Sequence, residues 1–188
     1  MIAPVRAPVL AWTLTLALAL AAAAATWFVF AAPAAKPRPA PPPGYLQAKG
    51  DALFKASFKA VGVAGAALPA LRGRPLIAYF WPSWCGDCAA EVKALQALQD
   101  RHAGERLVVL GFGVDQADRI ERFARANAVG FAVFAGGQAA IDLSKQMGNL
   151  REGMPFVVAI DRQGRAVASH RGKFGPQTAQ DMAAAALK

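Results

Sequence analysis

The chain has 188 residues, 55% of them hydrophobic, a formal net charge of +9 and two cysteines. Two thiols are too few for an iron–sulfur cluster, and the basic residues are scattered without a nucleic-acid-binding motif, so the charge reads as a solvated basic surface. Alanine and one N-terminal stretch inflate the apolar fraction, which therefore does not describe a wholly membrane-embedded protein.

Residues 8–32 run without a charge and end in Trp27, Phe28 and Phe30. As a helix this stretch is long enough to cross about 30 Å of hydrocarbon, and its aromatic end suits a membrane interface. It reads as a retained anchor in preference to a signal cleaved at Ala32-Pro33-Ala34, because it exceeds a usual signal core. Arg6 on one side and Lys36 and Arg38 on the other leave the orientation undecided by charge. A lone cysteine pair behind an export-type segment points to the extracytoplasmic side. The expected organisation is an anchor over 1–32, a proline-rich polyproline II spacer over 33–44 and one domain over 45–188. The expected location is the inner (cytoplasmic) membrane, single-pass, with the C-terminal domain on the periplasmic side.

Within that domain residues 45–70 carry the weakest pattern, with a strand pair expected over 53–63 around Gly62 or Gly65. Apolar runs predict strands over 76–80, 107–112, 131–134, 156–160 and 166–170. Helical periodicity predicts helices over 86–101, 119–128, 141–146 and 177–187. Asp161-Arg162-Gln163-Gly164 offers a glycine for a positive φ and joins the last two strands as a hairpin. Two parallel βα units, a hairpin and a closing helix follow the order of the thioredoxin fold, an α/β architecture with a central mixed sheet flanked by helices. Gly111-Phe112-Gly113 lacks the third glycine of a dinucleotide fingerprint.

Trp84-Cys85-Gly86-Asp87-Cys88 contains both cysteines and stands where a strand hands over to a helix. Two thiols three residues apart can form and break one disulfide. A helix N-terminus offers unpaired N–H groups and the positive end of the macrodipole, so Cys85 is expected to be the attacking thiolate and Cys88 the resolving thiol. Structural zinc would need two more ligands, and His102 and His170 lack the close spacing of such sites. Covalent haem attachment wants His where Ala89 stands. Copper handling by Cys85 and Cys88 has no evident third ligand. Two inert buried cysteines would sit poorly with Gly86 and Asp87 between them and Pro82 and Ser83 ahead of them. At about 100° per residue from Cys88, Glu91 falls inside the apolar stripe marked by Val92, Leu95 and Leu98. Such a carboxyl would have a raised pKa suited to proton transfer with Cys88; the alternative is a solvated carboxylate that complements the helix dipole.

The stretch 71–91, Leu-Arg-Gly-Arg-Pro-Leu-Ile-Ala-Tyr-Phe-Trp-Pro-Ser-Trp-Cys-Gly-Asp-Cys-Ala-Ala-Glu, resembles the signature of the TlpA/ResA-like branch of the thioredoxin superfamily. The likeness continues through 153–165 and covers most of 68–188. That branch comprises membrane-anchored, extracytoplasmic thiol–disulfide oxidoreductases. The resemblance implies that Pro155 faces the cysteines through a cis bond and that the backbone of Met154 contacts substrate. It further implies that Glu91 assists proton transfer. Trp84 would shield the thiol and offer an apolar docking face. Gly86 and Asp87 would tune the redox pair, and Asp87 departs from the proline that many members carry there. The expected activity is protein-disulfide reduction, with protein disulfides as substrates and a transmembrane thiol as electron donor. Cytochrome c maturation is a specialised alternative and copper-site assembly one of a different class. A peroxidase is disfavoured because Pro82-Ser83-Trp84-Cys85 lacks a longer proline-to-threonine-to-cysteine spacing. No organic cofactor, metal or nucleic acid is expected, since the electrons reside on the two sulfurs.

Overall fold

The computed structural model describes residues 50–61 and 67–188. The expected anchor, the spacer, Gly62 and Gly65 lie outside the described residues.

Leu76-Ile77-Ala78-Tyr79-Phe80-Trp81 is apolar at every position and buried at every position, as a strand covered on both faces must be. This strand, β2 (Leu76–Trp81), lies inside a six-stranded sheet. The other strands are β1 (Lys59–Val61), β3 (Val108–Gly113), β4 (Ala132–Ala135), β5 (Phe156–Ile160) and β6 (Ala166–Arg171), arranged β1-β4-β3-β2-β5-β6. Strands β2, β3 and β4 run parallel; β1, at one edge, is antiparallel to β4, and β5 is antiparallel to both β2 and β6. The sheet is therefore mixed. Among the described residues five α-helices accompany it: α1 (Asp51–Lys55), α2 (Cys88–Arg101), α3 (Ala117–Ala126), α4 (Gly137–Gln146) and α5 (Pro176–Ala186).

The period of two along β2 divides the core. Ile77, Tyr79 and Trp81 face one cluster, with Val92 and Leu95 of α2, Ile120 of α3 and Met182 of α5. Leu76, Ala78 and Phe80 face the other, with Leu53 and Phe54 of α1 and Leu143 of α4. Helices α2, α3 and α5 thus cover one side of the sheet and α1 and α4 the opposite side. At Gly111 of β3, opposite Tyr79, an added Cβ would lie 2.7 Å from the Trp81 ring and 2.9 Å from that of Phe131. Gly111→Ala is accordingly expected to cost about 1–3 kcal/mol, read as a lower denaturant midpoint at unchanged slope. An unchanged midpoint would show that the two rings yield freely.

The strand pair expected over 53–63 is corrected in its first half, which is the helix α1 followed by the short edge strand β1. Five residues display little more than one helical turn of periodicity, and β1 buries only Val61, so neither element carries a strong pattern. Helix α4 begins at Gly137, four residues before the expected start, because Gly136 and Gly137 resemble a break in sequence. The other boundaries agree to within two residues, the ordinary uncertainty of helix and strand ends. The 161–164 hairpin forms as expected. Gly164 takes φ +78°, and the buried Asp161 carboxylate accepts the N–H groups of Gln163 and Arg165 and the Arg165 guanidinium. Burial opposes the Asp161 charge, but these partners outweigh it and hold the carboxyl below its ordinary range.

Candidate active site

Parallel strands β2 and β3 emerge side by side, tied by the Val114 N–H donating to the Trp81 carbonyl at 3.0 Å. Beyond Trp81 the chain turns, with the Cys85 N–H on the Pro82 carbonyl at 3.2 Å, and α2 begins at Cys88, two residues later than expected. Cys85 and Cys88 form a disulfide across 5.4 Å between Cα atoms. The covalent bond brings the Cys85 sulfur to the first residue of α2, where unpaired N–H groups favour a thiolate. Cys88 is fully buried, whereas Cys85 is half-buried. A substrate sulfur can therefore reach only Cys85.

The loop before Cys85 is pinned from the segment that follows β3. The Ser83 hydroxyl donates a hydrogen bond to the Asp115 carboxylate. That bond, the Gln116 N–H at 2.8 Å and the nearby Arg119 hold the Asp115 carboxyl below its ordinary range. Trp84, with 77% of its surface open, projects beside this loop rather than packing at the strand end. Gly86 and Asp87 are exposed, and Asp87 is the N-cap residue of α2.

Antiparallel pairing of Phe156 with Phe80 sets Pro155 at the end of β2 from which the cysteine loop springs. The Met154-Pro155 peptide bond is cis, and the Pro155 carbonyl accepts the Gly172 N–H at 2.8 Å. Met154 is half-buried and packs against the α1 and α4 side of the core. The buried Asn149 amide organises the preceding loop, donating to the Gly153 carbonyl at 3.0 Å and the Ser144 hydroxyl at 3.3 Å and accepting from Arg171 at 3.2 Å.

Glu91, one turn after Cys88, is 1% exposed, so the solvated alternative does not describe it. Its carboxyl accepts the Tyr79 hydroxyl at 2.6 Å and the Phe174 N–H at 2.9 Å. Burial pushes the carboxyl above its ordinary range, with those two hydrogen bonds pulling the other way and Asp87 adding to the rise. Tyr79 is itself pushed up by burial and then by the Glu91 carboxylate. Tyr79 stacks on Trp81 with ring centroids 5.3 Å apart and meets the Phe174 edge at 5.8 Å. Asp87 accepts the Lys173 ammonium at 2.8 Å.

Tyr79, Ser83, Asp115, Lys173 and Phe174 join the site without having been singled out from the sequence. Only Tyr79 carried a signal: a tyrosine on a fully apolar strand needs a partner for its hydroxyl. Among the described residues no group of three or more His, Cys, Asp or Glu side chains is placed to hold a metal ion, and no helix is long and apolar enough to cross a membrane.

The family model of the AhpC/TSA family matches residues 50–170. The chain belongs to the AhpC/TSA family. A thioredoxin-like protein of Synechocystis is 43% identical over 42 residues, covering 22% of this chain and 38% of that relative's length. The dsbF protein of Mycobacterium tuberculosis has a similar structure, with TM-score 0.60 at 21% identity over 73% of this chain and 98% of that one. A thiol:disulfide interchange protein of Chlorobium tepidum gives TM-score 0.57 at 17% identity over 71% and 99%. A Xanthomonas campestris peroxiredoxin Q mutant gives 0.58 at 20% over 72% and 92%. These likenesses establish the thioredoxin-like α/β fold expected from the order of elements, and this family member carries on it the Cys85–Cys88 pair.

Proposed function

We propose that the chain is an extracytoplasmic thiol–disulfide oxidoreductase that reduces protein disulfides through Cys85 and Cys88. One observation carries the reading: a closed disulfide with one reachable sulfur and one fully buried sulfur at the start of a helix. In the reduced pair the Cys85 thiolate attacks a substrate disulfide. The substrate S–S bond breaks, one substrate thiolate leaves and takes up a proton, and a mixed disulfide forms on Cys85. Cys88 then gives up its proton and attacks the Cys85 sulfur, releasing the second substrate thiol. Two electrons pass to the substrate and the Cys85–Cys88 disulfide remains. Glu91, on the helix face of Cys88 and with a raised pKa, serves as proton acceptor for that second step. Trp84 supplies an apolar docking face and the backbone of Met154, ahead of Pro155, pairs with the substrate chain.

Restoring the dithiol requires an external thiol donor. The uncharged segment 8–32 supports tethering to a membrane, with a transmembrane thiol protein as the donor. The relatives named as a thiol:disulfide interchange protein and as dsbF fit the same class of reaction. Equilibration with glutathione buffers tests the direction of electron flow. A reductase is expected to lie below about −180 mV, and a potential near about −120 mV would make the chain an oxidant instead. An export-dependent reporter fused after Lys188 is expected to be active, and an inactive one would overturn the extracytoplasmic assignment.

A further inference from the structure

The tripeptide Gly172-Lys173-Phe174, between β6 and α5, bonds to the site through each of its residues. The Gly172 N–H donates to Pro155 at 2.8 Å, the Lys173 ammonium to Asp87 at 2.8 Å and the Phe174 N–H to Glu91 at 2.9 Å. Its shape is set locally: Gly172 takes φ +86°, which a side chain would strain, and His170 Nε2 lies 3.2 Å from the Lys173 carbonyl. One short loop therefore holds the cis-proline, the acid between the cysteines and the buried glutamate in a single register.

Asp87 is the charged member of this set that stands between the two cysteines. A bare carboxylate at that place would disfavour the Cys85 thiolate and so weaken the dithiol relative to the disulfide. The Lys173 ammonium offsets that charge, and its own proton is held more tightly by Asp87 in return. Both side chains are largely exposed, so the pair adds little to fold stability. Its consequence belongs to the redox equilibrium.

We infer that Lys173 is a positioning residue that, by neutralising Asp87, sets the balance between the dithiol and the disulfide of Cys85 and Cys88. The inference rests on the thiol–disulfide reading. The ionisable groups that share this space are Asp87 at the N-cap of α2, Glu91 on α2, Tyr79 on β2, His170 on β6 and Lys173 itself.

The test is a double-mutant cycle in glutathione buffers. There two glutathione thiols supply two electrons and two protons, the Cys85–Cys88 bond breaks and the bond of oxidised glutathione forms. Lys173→Gln is expected to move the equilibrium constant about fivefold toward the protein disulfide, and Asp87→Asn a similar amount toward the dithiol. The variant carrying both is expected within about twofold of wild type, and Lys173→Arg likewise, because in each the net charge at the pair is conserved. An unmoved equilibrium in Lys173→Gln, or a double variant that keeps the full Lys173→Gln shift toward the disulfide, would overturn the role of Lys173 while leaving the oxidoreductase intact. A wild-type chain that does not equilibrate reversibly with glutathione would overturn the thiol–disulfide reading itself.

Discussion

Mixing reduced Cys88→Ser with a small aromatic disulfide is expected to give a lasting mixed disulfide on Cys85, whereas Cys85→Ser should react about a hundredfold more slowly because exchange requires access to the attacking sulfur. The asymmetry follows from where the chain places each sulfur. Cys85 lies in the turn after β2, half-buried next to the exposed Trp84. Cys88 opens α2 and is sealed against Val92, Leu95 and the β2 side chains. In-line attack on a disulfide needs an open approach, and only Cys85 has one. Loss of the resolving thiol leaves the first step untouched and removes the second, so the adduct accumulates. Intact mass spectrometry reads both rates. Comparable adduct formation in the two variants would mean that Cys88 becomes accessible once the pair is reduced, and the order of attack would have to be reversed.

Glu91→Gln is expected to keep or raise stability at neutral pH while slowing the resolving step by about a hundredfold, the lower end of what a positioned acid–base group contributes. The folded-state pKa of Glu91 lies above its unfolded value, principally through burial. Between those two values the folded chain holds more protons than the unfolded one. Stability is therefore greatest below the unfolded pKa and declines as pH rises through the folded pKa. Glutamine keeps the shape of the protonated acid: its carbonyl can accept the Phe174 N–H and its amide can donate to the Tyr79 oxygen. It cannot move a proton. Denaturant midpoints across pH should thus lose the decline that wild type shows, and single-turnover exchange should lose its dependence on the Glu91 titration. Exchange rates equal to wild type across the pH range would reduce Glu91 to a structural acid.

The contrast between Glu91 and Lys173 shows what a sequence of this kind reveals. Glu91 shares a helix with Cys88, so its angular position among Val92, Leu95 and Leu98 could be worked out from 3.6-residue periodicity, and the structure buries it there. Strand β2 was readable for a similar reason, as six apolar residues bounded by turn formers. Lys173 meets Asp87 across 86 positions of sequence, and Ser83 meets Asp115 across 32. No periodicity links such pairs, and a lysine in a glycine-flanked loop looks like any solvated charge. Their meeting depends on the strand order β3-β2-β5-β6 and its registers, which bring one end of each of the four strands to the same end of the sheet. Helix α1 escaped for the opposite reason, being too short to display a period.

Reduction of insulin by dithiothreitol, followed as precipitation of the freed chains, tests the redox cycle of Cys85 and Cys88 most directly. The wild-type chain is expected to accelerate the reaction in proportion to its concentration, with Cys85→Ser indistinguishable from the uncatalysed control. Acceleration that survives Cys85→Ser, or a wild-type rate equal to the control, would contradict it.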